Sequence, residues 1–281
     1  MFSLSVQNKY GELLELTQND AYVVEAVDGL DPPDNVLNLS KVAGSDGSVF
    51  NSAYTDNRTI SITLAINAPA EENRINLYRY FKAKMPLRLY YQNDSRDVYI
   101  DGYVQSMPIS FFAKKQVVQI VIVCPKPFFK GTYEGITNFS VTTSLFEFPF
   151  EIESAIPFSS LVLDDTAVVE NNGDVETGAL ITISAVGAVT NPKIINSETG
   201  EYFEILDSLV SGDVIVLCTT KNEKSVLKNH EGTITSLVGK IKYGSTWLQL
   251  QPGSNVFYVT AASGAANIST SFEVVNLFEG V

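Results

Sequence analysis

Two segments in which side chains alternate as in β-strands are followed by a stretch that contains two prolines. This stretch limits how the chain can fold. Residues 96–104 and 116–124 have the pattern of strands, and Pro125 and Pro127 follow directly. Proline fixes φ and has no backbone N–H to donate to a neighbouring strand, so a strand cannot continue here. With Gly131 following, the sequence predicts a domain-exit hinge at these two prolines and this glycine.

The exit divides the chain into two expected domains. A chain of 281 residues is typical of about two domains. We expect an N-terminal domain over residues 1–130, a linker over 131–145 and a C-terminal domain over 146–281. Thirteen Tyr and sixteen Phe favour sheets over helical bundles. The expected fold is mainly β: an N-terminal β-sandwich with one α-helix and an extended arm, followed by a C-terminal antiparallel β-sandwich.

Charge argues against binding to nucleic acid. The net charge is −13, and the sequence has no long basic run to neutralise phosphates. An acidic surface repels DNA instead. No apolar stretch approaches the length that spans a membrane. The first residues lack the pattern of a signal peptide, so we expect folding in a cytoplasm.

The N-terminal domain has a regular strand pattern around one helix. Apolar residues alternate through residues 58–66, which predicts one buried face. A helix is expected over 68–84, with Asn67 as its cap. In residues 116–124 both sets of alternate positions are apolar, apart from Gln119. We therefore expect both faces of this strand to be covered.

A polar excursion at residues 27–50 interrupts this pattern. Its turn residues include Gly29 and the tip Gly44, Asp46, Gly47 and Ser48. Asp-Gly favours a hairpin turn, and so long an excursion is uncommon in a compact domain unless it has a function. Two interpretations remain open: an arm that clasps a neighbouring subunit, and a plain surface hairpin.

The C-terminal domain has short strands at regular spacing. It opens at residues 146–150, and a first short strand is expected at 160–163. Further strands follow, separated by turns that contain Gly, Asn and Asp. This spacing is typical of an antiparallel sandwich or jelly roll.

The sequence offers no convincing catalytic or metal site. His230 is the single histidine, and it lies in a predicted turn, whereas a catalytic histidine must be held in place by its neighbours. Cys124 and Cys218 fall in different domains and suit neither a disulfide framework nor a metal site. Acidic pairs such as Asp164 and Asp165 have the character of turn residues. We expect no enzyme activity, no metal and no cofactor.

Trp247 is the single tryptophan and has two interpretations. A lectin-like site would stack its ring on a sugar. A half-buried ring on a sandwich strand is the favoured interpretation, because large aromatic side chains contribute much of the burial in a core.

Several short motifs, in order along nearly the whole chain, resemble the distal tail protein family of siphophages. These motifs are residues 44–48, 58–62, 96–104 and 122–128 in the first domain, and 171–178, 191–194, 198–201, 211–213 and 250–255 in the second. The family's exit is Cys-Pro-Asp-Pro, and this chain has Lys126 in place of the acid.

The resemblance implies a structural hub and not a catalyst. The N-terminal domains would form a six-membered ring at the virion tail tip, with galectin-like C-terminal sandwiches outside. Such a ring connects the tail tube protein to tail-tip and receptor-binding proteins and leaves a channel through which DNA passes unbound. An alternative is a carbohydrate-binding β-sandwich that contributes to host adhesion, and a third is a glycan-cleaving enzyme.

Overall fold

The protein is described by a computed structural model that covers residues 2–133, 135–140 and 166–281. These residues form two compact units, one of residues 1–133 with 277–281 and one of residues 134–276. The helix α1 spans Ala70–Tyr80, and two short 3-10 segments span Val238–Lys240 and Ala265–Asn267. In chain order the strands are β1 (Ser3–Asn8), β2 (Leu13–Glu15), β3 (Tyr22–Asp28), β4 (Asn35–Ser40), β5 (Val49–Thr55), β6 (Arg58–Ile66), β7 (Pro86–Gln92), β8 (Asp97–Ser106), β9 (Gln116–Cys124), β10 (Phe129–Gly131), β11 (Gly135–Ser140), β12 (Thr166–Asn171), β13 (Ala179–Ala185), β14 (Val189–Asn196), β15 (Tyr202–Glu204), β16 (Ser208–Leu209), β17 (Val214–Cys218), β18 (Ser225–His230), β19 (Thr233–Ser236), β20 (Gly253–Ser263), β21 (Ile268–Val274) and β22 (Leu277–Phe278).

The first unit is built on one antiparallel sheet of nine strands. Seven follow the order β2-β1-β7-β8-β9-β6-β3, and β10 pairs with both β8 and β22. Alternate residues of these strands are buried in one core, as the apolar periodicity of β6 and β9 predicts. The hairpin β4–β5 forms a separate two-stranded sheet.

The large sheet curves, and α1 contacts both β3 at one end of the sheet and β1 next to the other end. The Tyr22 hydroxyl of β3 donates a hydrogen bond to the Asn73 carbonyl at 2.9 Å, while Asn8 Nδ2 of β1 lies 3.5 Å from the Arg79 carbonyl. In a flat sheet β3 and β1 would be roughly 24 Å apart, yet six helical residues span only about 9 Å. The sheet must therefore curve to bring both strands to one helix.

The helix is shorter than the sequence predicts. It begins after Pro69 and has no side-chain cap, because Asn67 Nδ2 donates to the Asp20 carbonyl instead. It ends where Phe81 leaves helical geometry, and Lys84 then adopts a φ of 63°. Leu77 is its fully buried residue and anchors it to the core.

The second unit is an antiparallel sandwich. One sheet has the order β11-β21-β13-β17-β18-β19, and the other has the order β12-β20-β14-β15 with β16 paired to β14. Their inward residues form one core, in which the rings of Phe257 and Phe272 lie 5.1 Å apart. The expected mainly β fold is confirmed.

The boundaries of the two units differ from those expected at both ends of the second domain. Residues 277–281 pack with the first unit, because β22 pairs with β10. The expected linker 131–145 begins inside β10 and contains β11, while its residues 134 and 141–145 lie outside the described residues. The expected strand at 160–163, the opening segment 146–150 and the acidic pair Asp164 and Asp165 also lie outside them.

Candidate functional site: the arm and its base

The arm is the hairpin of β4 and β5 with its connecting turn, residues 35–55. Among the described residues its two strands pair only with each other, and nearly all of their side chains are exposed. Gly44 and Gly47 in the turn have φ values of 79° and 87°, a region that favours glycine. An isolated two-stranded hairpin is marginally stable in water. Within the part of the chain that the structure describes, no further layer covers the arm to stabilise it.

One face of the arm is apolar. Leu37 pairs with Ala53, and Leu39 pairs with Phe50 after a bulge, so these four side chains share a face. The exposed fractions are 56% for Leu37, 51% for Leu39 and 60% for Phe50. The opposite face is mixed: it carries the polar pair Asn38 and Ser52, but also Val36, Val49 and Tyr54, which are 40%, 53% and 60% exposed.

Neither strand of the arm contains a charged residue. A contiguous exposed apolar patch in a protein that remains soluble is typical of an interaction surface. The apolar face of the arm is therefore the strongest candidate for a binding surface in the first unit.

The base of the arm requires glycine at position 29. Gly29 has a φ of 87°, and a Cβ added there would lie 2.2 Å from the Thr59 carbonyl oxygen. A larger residue would therefore both strain the backbone and clash with the start of β6. This close approach fixes where the chain leaves β3 to form the arm.

Arg58 joins the arm base to two other segments. Its side chain is buried, with 4% of the residue exposed. Its Nη1 donates to the carbonyls of Gly29 at 2.7 Å and Asp31 at 2.6 Å, and its Nε donates to the Pro127 carbonyl at 2.6 Å. Its Nη2 donates to the Glu279 carbonyl.

A stacking contact completes the Arg58 site. The guanidinium lies 4.7 Å from the centre of the Phe129 ring, within the range of a cation–π contact. The planar guanidinium has five N–H donors, which suits it to several carbonyls at once. One side chain thus holds the arm base, the proline exit and the C-terminal segment together.

The predicted site residues separate into two groups. Gly29 lies at the base of the arm, and the four other arm residues, Gly44, Asp46, Gly47 and Ser48, lie in its turn.

The predicted domain-exit hinge is held more firmly than the sequence suggests. The Pro127 carbonyl is bound by Arg58, and Gly131 lies in β10, where it pairs with Val98. Pro125 precedes this anchored stretch. The sequence alone did not identify Arg58 as a site residue. The available signal was an arginine at the first position of β6, a strand whose other residues are uncharged.

Trp247 is partly buried against the core of the second unit. Its ring centre lies 5.1 Å from that of Phe203, and Lys224 Nζ lies 5.5 Å from the ring. Phe203 and Lys224 thus contact the Trp247 ring, which is the ring that a sugar would have to stack on.

His230 lies in a side-chain network with Asp213 and Lys228. Its Nδ1 lies 2.5 Å from Asp213 Oδ1, and Lys228 Nζ lies 2.9 Å from Asp213 Oδ2. Burial alone would raise the pKa of Asp213, but hydrogen bonds from the Val210 N–H, His230 and Lys228 outweigh it and lower the pKa to about 2. This carboxylate is therefore ionised and stabilises the end of the sandwich.

The described residues offer little for other chemistry. They contain no cluster of three or more residues that could hold a metal ion. Burial raises the pKa of the Cys124 thiol to about 12, as expected of an unreactive core cysteine.

Three open clefts of the first unit each contain a single carboxylate, from Asp97, Asp101 or Asp20. A glycosidase uses two. No helix in the described ranges is long and apolar enough to cross a bilayer.

Comparison with known proteins gives matches to phage tail proteins. Residues 9–124 match the family described as phage tail protein RIFT-related domain, and residues 172–274 match that described as siphovirus-type tail component, C-terminal domain. Curated protein sequences give no match.

Solved structures give the same fold along the chain. The crystal structure of Dit from phage SPP1, called a paradigm of hub adsorption apparatus in phages that infect Gram-positive bacteria, matches with a TM-score of 0.70 and 13% identity over 99% of each chain. A chain of the phage P2 baseplate, in its activated conformation with Ca, matches with a TM-score of 0.54 and 10% identity over 100% of each chain. The two family models fall one in each compact unit and together span most of the sequence. The chain therefore belongs to the distal tail protein family of siphophages, a family of phage tail components.

Proposed function

We propose that copies of this chain close into a six-membered ring at the virion tail tip and act there as a structural hub. The ring joins the tail tube protein to tail-tip and receptor-binding proteins. Its first units form the ring, and the arm of each copy clasps a neighbour. The chain is made in the host bacterial cytoplasm and performs no catalysis.

The observation that carries this proposal is the arm. A hairpin whose two strands carry no charge exposes Leu37, Leu39 and Phe50 on one face, while Arg58 and Gly29 fix its base. A rigid base with an exposed apolar face is suited to bind a surface outside its own chain. When one surface of a copy binds a different surface of the next copy, the same contact repeats along the assembly. The assembly closes into a ring if the rotation between neighbouring copies divides a full turn evenly.

Charge supports a channel through which DNA passes unbound. The net charge of −13 makes a ring of several copies strongly acidic. Acidic walls repel phosphates, so DNA would move through without adsorbing.

Charge insertion in the arm tests the proposal. Light scattering of the full chain is expected to give a ring at micromolar concentration. The double substitution Leu39→Lys with Phe50→Lys is expected to leave monomers, because docking would bury two unpaired charges. Asn38→Lys with Ser52→Lys places the same charge on the opposite face and is expected to keep the ring.

Both variants must keep the circular dichroism and thermal unfolding of the parent chain. Rings that persist with lysines on the apolar face would reject the clasping arm. Equal loss of assembly in both variants would show that added charge, and not the apolar contact, causes the effect.

The alternative is a carbohydrate-binding module, and it makes a separate prediction. A sugar site at Trp247 requires saturable binding of host cell-wall oligosaccharides that Trp247→Ala abolishes. The proposed hub requires no such binding. Calorimetric titration of the full chain with these oligosaccharides distinguishes the two.

A further inference from the structure

A polar groove runs along β1 on the outward side of the large sheet, near its β2 end. Ser3 and Ser5 form its floor, because their small side chains lie between longer ones on the two neighbouring strands. Leu13 of β2 lines one side, and Tyr90 and Gln92 of β7 line the other. The groove has a volume of about 280 Å³ and is open to solvent. We call it the β1 groove.

The aromatic side of the β1 groove is held in place by its own chain. The Tyr90 hydroxyl donates a hydrogen bond to Gln7 Oε1 of β1 at 3.1 Å, and Ser5, the cross-strand neighbour of Tyr90, is only 8% exposed. The Tyr99 ring lies 5.9 Å from the Tyr90 ring, and the Arg88 guanidinium lies 4.0 Å from the centre of the Tyr99 ring. A ligand in the groove therefore meets an aromatic wall that needs little reordering.

Two polar side chains at one end of the groove have no partner among the described residues. They are the carboxamide of Gln92 and the carboxylate of Asp97, which are cross-strand neighbours on β7 and β8. The side chains of Gln7 and Ser3, by contrast, already make hydrogen bonds within the chain. An amide offers two donors and an acceptor, and a carboxylate accepts several hydrogen bonds. The groove thus presents donors and acceptors side by side to a ligand.

The lining excludes several classes of ligand. Among the described residues that line the groove, none is a lysine or an arginine, so a phosphate would find no cation and would be repelled by Asp97. A peptide strand requires a free sheet edge, but β1 is paired with β2 on one side and β7 on the other. One carboxylate is too few ligands for a metal ion. A wholly apolar ligand would desolvate the amide and the carboxylate without bonding them.

We propose that the β1 groove binds a neutral saccharide. Sugar hydroxyls donate to the Asp97 carboxylate and exchange hydrogen bonds with the Gln92 amide. The apolar C–H face of the sugar ring packs against Tyr90 and Leu13, which line opposite sides of the groove. This site goes beyond the proposed hub, which neither requires nor excludes it. It belongs to the first unit, whereas Trp247 belongs to the second.

The groove suits a short stretch of sugar and weak binding. Its volume of about 280 Å³ lies near the lower end of small-molecule sites, which measure about 300–1,000 Å³. An open site with few polar contacts gives a Kd on the order of 1 mM. Where copies assemble, the site repeats, and several weak contacts then act together on one polysaccharide.

Saturation-transfer NMR of the full chain tests the site. The probes are the neutral trisaccharides maltotriose, cellotriose, galactotriose and chitotriose, with trigalacturonate as the anionic counterpart. At least one neutral probe is expected to bind saturably, and trigalacturonate is not. Gln92→Ala and Asp97→Ala are each expected to weaken this binding at least about tenfold. Asp46→Ala, in the exposed turn of the arm, removes the same charge as Asp97→Ala and is expected to leave binding unchanged.

Amide chemical shifts of the 15N-labelled chain give the position of the probe. Changes on titration are expected at residues 3–7 and 90–97. Binding that Trp247→Ala abolishes and Asp97→Ala preserves would place the sugar in the second unit and overturn this site. Equal weakening by Asp97→Ala and Asp46→Ala would overturn the proposed contact with Asp97.

Absence of saturable binding of all four neutral probes to the folded chain overturns the inference, as does preference for trigalacturonate. None of these results bears on the proposed ring, because assembly is measured separately by light scattering. A chain that binds sugar in the β1 groove but never assembles supports this site and overturns the ring.

Discussion

Replacing Arg58 by alanine is expected to destabilise the first unit strongly. The buried guanidinium donates to four backbone carbonyls, those of Gly29, Asp31, Pro127 and Glu279. A hydrogen bond from a charged group contributes about 1.5–3 kcal/mol. Water can reach part of the space left by alanine and the contributions are not additive, so we expect a loss of about 3–5 kcal/mol.

Differential scanning calorimetry of the full chain measures this loss. At about 3 °C per kcal/mol for a unit of this size, the first unit should melt roughly 10–15 °C lower, while the second unit melts as before. Amide hydrogen exchange should also rise in residues 277–281, because the Glu279 carbonyl loses its donor.

Arg88→Ala is the matched control. Arg88 pairs with Asp101 at 2.7 Å, but its side chain is 38% exposed. Exposed ion pairs contribute about 0.2–1 kcal/mol, so this variant should lose little stability. If Arg58→Ala is no more destabilising than Arg88→Ala, then Arg58 does not hold the arm base, the exit and the C-terminal segment together.

Two further predictions concern single residues in each unit. Gly29→Ala should lower the free energy of unfolding, measured in urea, by about 3 kcal/mol or more. Gly44→Ala has a similar φ but open space around it, so it should lower this free energy by about 1 kcal/mol. Equal losses in the two variants would refute the clash with Thr59. Asp213 has a pKa lowered to about 2, so its contribution to the second unit is present above about pH 4 and lost as the pH falls towards 2. Asp213→Asn should therefore remove about 2 kcal/mol at pH 7 and flatten the stability profile between pH 4 and pH 2; an unchanged profile would contradict this assignment.

The sequence predicts the strands well because their periodicity is local. The alternation in β6 and β13 identifies the buried faces of both units, and Gly44 and Gly47 mark the turn of the arm. Burial of one strand face requires only that apolar residues recur at every second position.

Long-range pairing leaves no such local pattern. The two-residue strand β22 joins the first unit, although the chain has passed through the second unit before reaching it. Arg58 binds backbone carbonyls, which every residue has, so no sequence motif identifies its partners. The sequence predicts that both faces of β9 are covered, but Val117, Val121 and Val123 on its outward face are partly exposed, because an apolar pattern indicates burial without identifying what covers the face.

The apolar face of the arm could be found in part from the sequence. Leu37 and Leu39 occupy alternate positions, which places them on one side of a strand. The bulge between Asn38 and Leu39 decides that Phe50, and not Asn51, shares this side, and only the structure gives that register.

The most direct test of the central claim is electron microscopy of the purified full chain, with its mass measured by light scattering in the same sample. The account predicts closed rings of identical copies around a central hole, and single particles when Leu39 and Phe50 carry lysine. A parent chain that remains single at every concentration, and also beside its tail partners, would contradict the account.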